Sequence, residues 1–398
     1  MNKYQIYFKR YAICAIVASL PLFLNLIFVI NAYENIKFNR VVEIQQKLNA
    51  IYGPRLNDNL FLYKKELFKF KKPAIIALGS SRVIQLREQC FNANFANCGL
   101  AGAQLNEVIV FLEEILKINR PEMILLGLDF WWFNGAYQQP KSFPRHNQEG
   151  TDNLLFKIKQ PFLWLTGQNI SFKLYIDVAI FNNNKNTVTK YENMGTGAIK
   201  FSEGWRKDGS YINSGIVFGF LKLENLNALD FKTLLDKIQR GIHPFGYSDR
   251  VSPERLQQFQ RIMEICRENQ IALIVLLPPV SPTIYKKMQS ISKQYAYVEE
   301  LRNYLQTAPV EFYDFHDISA ISPSDCEFFD GTHCGDVLYQ KMLLKIVEEN
   351  PDSALKRYVN IPLIEEKSKE FSGHVVTKFN KSRYYYDEVD FLELGCKK

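Results

Sequence analysis

The chain of 398 residues has only five histidines, and its seven cysteines include no C-x-x-C pair. With no H-x-x-x-H spacing either, the common sequence patterns of a metal centre are missing, and no metal ligand set is expected. A large excess of one charge sign is also missing, because 49 Lys and Arg face 42 Asp and Glu for a formal balance of only +7. The densest basic patch, Lys64, Lys65, Lys69, Lys71 and Lys72, comes without a regular nucleic-acid-binding motif. A solvated face, or a surface near anionic lipid or polymer, accounts for it, so nucleic acid is not an expected partner. No internal repeat occurs, and low complexity is confined to the asparagine run around residues 182–186, which argues against a repeat architecture. An apolar share of 47% with 23% charged residues excludes wholesale disorder.

One long apolar run is present. From Tyr11 to Ala32 no residue is charged, and Lys3, Lys9 and Arg10 precede the run. Its 22 residues match a bilayer core, whereas a signal peptide has a shorter apolar region and a small-residue cleavage site. Ile30-Asn31-Ala32 is a poor match to such a site, so an uncleaved anchor is expected, with residues 1–10 cytoplasmic and 11–32 spanning the membrane. No second run of that length follows, which leaves the bulk of the chain as one extracytoplasmic domain on a single-pass anchor. Residues 33–73 read as a stalk or docking segment, because an apolar helical spacing from Asn39 to Tyr52 ends at Gly53-Pro54 and a lysine-rich stretch follows.

Beyond Pro73 the pattern is that of an α/β domain, residues 74–350, followed by a charged, tyrosine-rich tail, 351–398. Short continuous apolar runs at 74–78, 123–129, 271–277 and 311–314 read as strands, with a shorter one near 92–97. Segments of helical spacing lie between them at 105–118, 253–269 and 293–305, and another follows the last strand. Strand–helix–strand order implies parallel pairing with right-handed crossovers. Residues 135–248 interrupt this order as a large insertion, a lid or substrate platform, in which Gly195–Gly197 and Arg206–Tyr211 read as exposed turns.

The first strand ends in Gly79-Ser80-Ser81-Arg82. Ligands of open α/β sheets sit beyond the carboxyl ends of such strands. A helix starting near Val83 would aim its free N–H groups at the serines, which are then either simple caps or a nucleophile with anion-stabilising donors. A nucleophilic serine needs a base, an orienting group and oxyanion donors. Of His146, His243, His316, His333 and His374, His333 is the best placed, because Asp330 lies three residues before it in the loop leading to the last helix. The same spacing also fits a helix-capping pair. His316, between Asp314 and Asp317, is the rival base, and the other three histidines read as surface residues. Cys90 with Cys98, and Cys326 with Cys334, are each eight apart and read either as two local disulfides or as buried thiols.

Gly79-Ser80-Ser81, Asn97-Cys98-Gly99, Gly127-Leu128-Asp129 and Asp330-Gly331-Thr332-His333 resemble the ordered blocks of the SGNH (GDSL-like) hydrolase superfamily. The likeness is nearest to its membrane-anchored envelope branch, which includes alginate-type polysaccharide O-acetyltransferases and the protein that D-alanylates teichoic acid. It spans residues 74–134 and 250–348. The resemblance implies a three-layer α/β/α, flavodoxin-like fold without a cofactor, with Ser81 as nucleophile, His333 as base and Asp330 as its orienter. It implies the Ser81 and Gly99 backbone N–H groups as oxyanion donors. Asp129 stands where the family commonly has a donating asparagine. Either burial keeps Asp129 protonated, or it holds the loop while Asn134 or a backbone group donates. Arg82 is a candidate for binding an anionic group of the substrate or for an internal ion pair, and Trp131 and Trp132 for lining a sugar cleft or packing under the insertion. The expected function is acyl transfer to, or ester hydrolysis on, cell-envelope glycan, with a polytopic membrane acyltransferase as the partner that delivers the acyl group. The competing expectation is a non-catalytic glycan-binding or assembly partner of the same architecture.

Overall fold

In the computed structural model, which describes residues 3–57, 59–136, 154–185, 188–221 and 231–398, the chain begins with one long apolar helix, α1 (Lys3–Asn31). It is long and apolar enough to cross a membrane. Next come α2 (Phe38–Leu48), β1 (Ile51–Tyr52) and α3 (Leu60–Lys71). This segment is not a stalk. Phe38, Val41, Val42, Phe61, Tyr63, Leu67 and Phe68 are buried in the largest hydrophobic cluster of the domain. The apolar spacing of α2 is visible in the sequence, but not the surface that covers it, and α3 lies in the stretch that reads as lysine-rich and polar.

The principal sheet is built from β2 (Ile75–Leu78), β3 (Phe95–Asn97) and β4 (Met123–Gly127), with α4 (Leu105–Leu116) between the last two. The insertion supplies α5 (Leu154–Thr166), α6 (Phe172–Ala179), β5 (Asn193–Met194), α7 (Thr196–Phe201), β6 (Gly204–Trp205), β7 (Tyr211–Ile212), α8 (Ser214–Val217) and α9 (Phe231–Arg240). The sheet pattern resumes with α10 (Pro253–Glu268), β8 (Ala272–Leu277), α11 (Pro282–Gln289), α12 (Ala296–Thr307) and β9 (Glu311–Asp314), then α13 (Asp336–Glu349) and α14 (Ile361–Glu370). The strand order is β3-β2-β4-β8-β9, and every pair is parallel. Successive side chains alternate between the two faces. Ile76, Leu78, Leu126, Val275 and Leu277 join the cluster that holds α3, α4, α10 and α12 residues, while Ile75, Ala77, Met123, Leu125, Ile274 and Leu276 join the one under α13. The protein is therefore an α/β domain on a parallel sheet, with one N-terminal apolar helix.

A second, four-stranded sheet, β5-β1-β6-β7, ties the insertion to the segment after α1. Its turns are not exposed as expected. Thr196, Arg206, Asp208 and Ser210 are buried, because the Asp208 carboxylate accepts from the Glu88 N–H and from the N–H and hydroxyl of Ser210. The C-terminal residues are likewise part of the domain. Val375, Val376 and Tyr384 are buried, and Cys396 forms a disulfide with Cys326. Of the two alternatives, local disulfides fail, because Cys326 pairs with the distant Cys396 instead of Cys334. Cys90, Cys98 and Cys334 are free, buried thiols, since apolar packing rather than oxidation accommodates them.

Candidate active site

The site is assembled at the carboxyl end of β2. Gly79 has a φ of +139°, and a Cβ there would lie 2.7 Å from the Gly127 carbonyl oxygen. Glycine is therefore required where β2 turns away beside the end of β4. No α-helix begins at Val83. Ser81–Val83 form a single 3₁₀ turn, in which the Ser80 hydroxyl accepts from the Arg82 N–H at 3.2 Å. Ser80 is thus the cap and Ser81 is left free for other contacts.

Ser81 Oγ lies 2.7 Å from His333 Nε2, and His333 Nδ1 lies 2.7 Å from Asp330 Oδ2. A carboxylate only accepts, so Nδ1 carries the proton and Nε2 is the acceptor for the serine hydroxyl. The other Asp330 oxygen accepts from the Thr332 N–H, the Thr332 hydroxyl and the His333 N–H, at 2.7, 2.9 and 2.9 Å. Phe328 and Cys334 bridge the base of this loop, and the Phe329 N–H donates to the His333 carbonyl. Burial disfavours the His333 imidazolium, but the Asp330 charge and hydrogen bond outweigh it and hold the pKa above histidine's ordinary value. Burial also works against the Asp330 carboxylate, yet His333 and the Thr332 donors keep its pKa below the usual value.

The rival base is elsewhere. His316 is buried between Phe130 and Tyr285, its Nδ1 has no partner among the described residues, and burial drives its pKa well down. His243 is exposed and His374 half-buried, while His146 lies outside the described residues.

Arg82 is not a substrate ligand. It is 2% exposed, and its guanidinium donates to the carbonyls of Thr332, Pro278 and Pro279 and pairs with Asp129 at 3.4 Å. It therefore staples the β2 turn to the end of β8 and to the loop carrying His333. Asp129, fully buried, is the counter-ion of that staple and not a substrate-binding residue. Burial pushes its carboxyl up to about 6, with Arg82 and the Ser80 hydroxyl opposing. Asn134 does not serve as an oxyanion donor either. Its amide donates to the Gly246 carbonyl at 2.7 Å and its oxygen accepts from the Ala136 N–H, fixing the root of the insertion. The Gly99 N–H is engaged as well, donating to Asn97 Oδ1 at 2.9 Å, whereas among the described residues no such bond engages the Ser81 N–H. Trp132 is buried in the core and Trp131 packs over Arg82 and against Phe130, so neither lines the cleft.

The cleft itself is a cavity of about 280 Å³ beside Ser81, Asp330 and His333. Its walls are largely apolar, from Ile84, Leu100, Trp205, Tyr211, Ile216 and Phe329. Leu100 adopts a left-handed φ of +64°, strain of the order of 1–3 kcal/mol that the surrounding packing sustains. Two polar groups accompany the triad. Asn213 is half-buried in the wall, and Gln85 is 2% exposed with a carbonyl oxygen that has no partner among the described residues. Trp205, Tyr211, Asn213 and Ile216 all come from the insertion and escaped sequence reading. The only signal pointing to them was the insertion's position beside the strand ends. Among the described residues no group of three or more His, Cys, Asp or Glu side chains is arranged to hold a metal. No protein-family model matches the chain, and no curated protein matches it.

Proposed function

We propose that the protein is a membrane-anchored serine acyltransferase or esterase of the SGNH type, acting outside the cytoplasm on a cell-envelope polysaccharide. In this reading the two clusters on either face of the parallel sheet belong to a three-layer α/β/α fold. The observation that carries the proposal is the two-link chain Ser81–His333–Asp330, opening onto an apolar cavity that suits an acyl group. Ser81 Oγ attacks the carbonyl carbon of the acyl donor while its proton passes to His333 Nε2. The imidazolium then protonates the leaving group, and the acyl group remains on Ser81 as an ester. A sugar hydroxyl or water attacks that ester, gives its proton to His333, and the proton returns to Ser81 Oγ as the acyl group departs. Asp330 holds the tautomer throughout. With Gly99 and Asn134 engaged elsewhere, the developing oxyanion is assigned to the Ser81 N–H and the Asn213 carboxamide. In a transferase, a polytopic membrane acyltransferase supplies the acyl group.

A second reading, a non-catalytic glycan-binding or assembly partner, is favoured by two observations. Asp129 replaces a donor with an acceptor, and the Gly99 N–H is already bonded. The two readings separate on the full-length protein in detergent, mixed with p-nitrophenyl acetate and quenched in acid. The enzyme reading expects a nitrophenol burst and an acetyl group on the Ser81 peptide, both lost in Ser81→Ala. An unmodified Ser81 with no burst overturns it.

A further inference from the structure

Among the described residues outside α1, exposed large apolar side chains are concentrated in two helices of the insertion. Leu154, Leu155, Phe156, Phe162 and Leu163 of α5 are 42–71% exposed, and Phe172, Ile180 and Phe181 in and just after α6 are 54–71% exposed. The four phenylalanines alone leave on the order of 500 Å² of apolar surface, about what the largest patch on a typical soluble monomer amounts to. Both helices pack on α1. Phe28 stacks on Tyr175 with ring centres 5.4 Å apart and meets Trp164 edge-on, while Ala32, Ile170, Val178 and Ala179 complete the seam. Polar contacts lock it. The Tyr175 hydroxyl donates to Asn25 at 2.8 Å, Asn31 to the Val178 carbonyl at 2.9 Å, and the buried Lys157 ammonium to Asn35 at 2.9 Å.

The depth of this seam follows from α1 itself. Lys9 and Arg10 fix one edge of the hydrocarbon at about Tyr11, since charged side chains belong at the headgroups. At 1.5 Å per residue, a core of about 30 Å reaches the other edge some 20 residues later, near Asn31. Asn25 and Phe28 lie below that edge, so the helices clamped on them enter the same leaflet.

We propose that α5 and α6 form a collar embedded in the domain-side leaflet of the bilayer, with acyl chains as the occupant of their exposed apolar face. This rests on α1 being a membrane anchor. Lys159 and Lys173, the exposed cations on these helices, have stems long enough to bring their ammonium groups to the headgroups. The domain is then held on the membrane at three helices instead of swinging on one.

The test uses the full-length protein, dilute in vesicles of phosphatidylcholine and phosphatidylglycerol doped with a lipid carrying a diazirine in its acyl chain. After irradiation, labelled peptides are mapped by mass. Labels are expected in α1 and in the peptides holding Phe156, Phe162 and Phe181, with those of the exposed face of α10 unlabelled. Phe162→Glu, on a solvent-facing side chain, should lower collar labelling at least several-fold and leave α1 labelled. A labelled α1 with an unlabelled collar overturns the proposal and leaves the anchor intact. If neither is labelled, the anchor reading itself fails and the collar with it. Labelling in pure vesicles that disappears in native membranes also overturns it, because another membrane protein then covers the face.

Discussion

Asp330 is the residue through which the site is tuned. Its charge holds the His333 pKa up, and a general base works only while neutral, so activity should rise with pH through a His333 titration displaced above the ordinary value of ~6.5. Asp330→Asn should move that acid limb downward and cost up to about 10⁴ in kcat, which a pH–rate profile of acetyl-ester turnover measures. Asn213→Ala should lower kcat by about 10²–10³ with little change in melting temperature, as loss of an oxyanion donor does. An unchanged kcat removes Asn213 from the proposed hole. The two residues also differ in how legible they were. Asp330 and His333 share one turn of chain, so their spacing announces their contact. Asn213 shares the cavity wall with Ser81 only through the folding of a distant insertion, and no local pattern marks it. Arg82, Trp131 and Trp132 stand out by their nearness in sequence to strand ends, and Asp129 and Asn134 through the family resemblance. Packing, which a sequence does not display, turns all five to structural use: Arg82, Asp129, Asn134 and Trp132 are buried, and the half-buried Trp131 lies over Arg82.

At the scale of elements, the parallel strands are readable because the central ones, β2 and β4, are short apolar runs buried on both faces. The strands of the second sheet, two residues each, carry no periodicity to read. Chain closure was equally hidden. The Cys326–Cys396 disulfide spans 70 residues and anchors the last segment to the turn just before the loop of Asp330 and His333. By the chain-entropy argument it contributes about 4 kcal/mol. Cys396→Ser should therefore lower the melting temperature by several degrees, and reductant should do the same to the wild type and nothing to the variant. Lys398 reinforces this closure by pairing with the buried Glu388 at 2.6 Å.

Across the whole molecule, the segments expected to be peripheral turn out to be core. The clearest case is Lys64, read as part of a basic surface patch. It is fully buried, donates to the carbonyls of Asn97 and Gly209, and sits 3.9 Å over the ring of Trp205 in the cavity wall. Burial lowers its pKa to about 7, while the unfolded chain keeps its proton to about 10.4. Above pH 7 the unfolded state therefore binds more protons than the folded one, and stability gains up to about 1.4 kcal/mol per pH unit from this group. The buried thiols of Cys90, Cys98, Cys266 and Cys334, pushed up to about 12, act in the opposite direction once unfolded thiols ionise above about pH 8.5. Between pH 7 and 8.5, Lys64→Met should lose a rise in melting temperature that the wild type shows. Parallel slopes would mean that Lys64 stays charged in the fold.

The central claim is that Ser81 is an activated nucleophile, and a fluorophosphonate probe on the full-length protein in detergent addresses it directly. Peptide mapping should find the phosphonyl group on Ser81 in the wild type and in His316→Ala, and none in His333→Ala. Labelling that depends on His316, or a wild-type Ser81 left unmodified, would contradict the account.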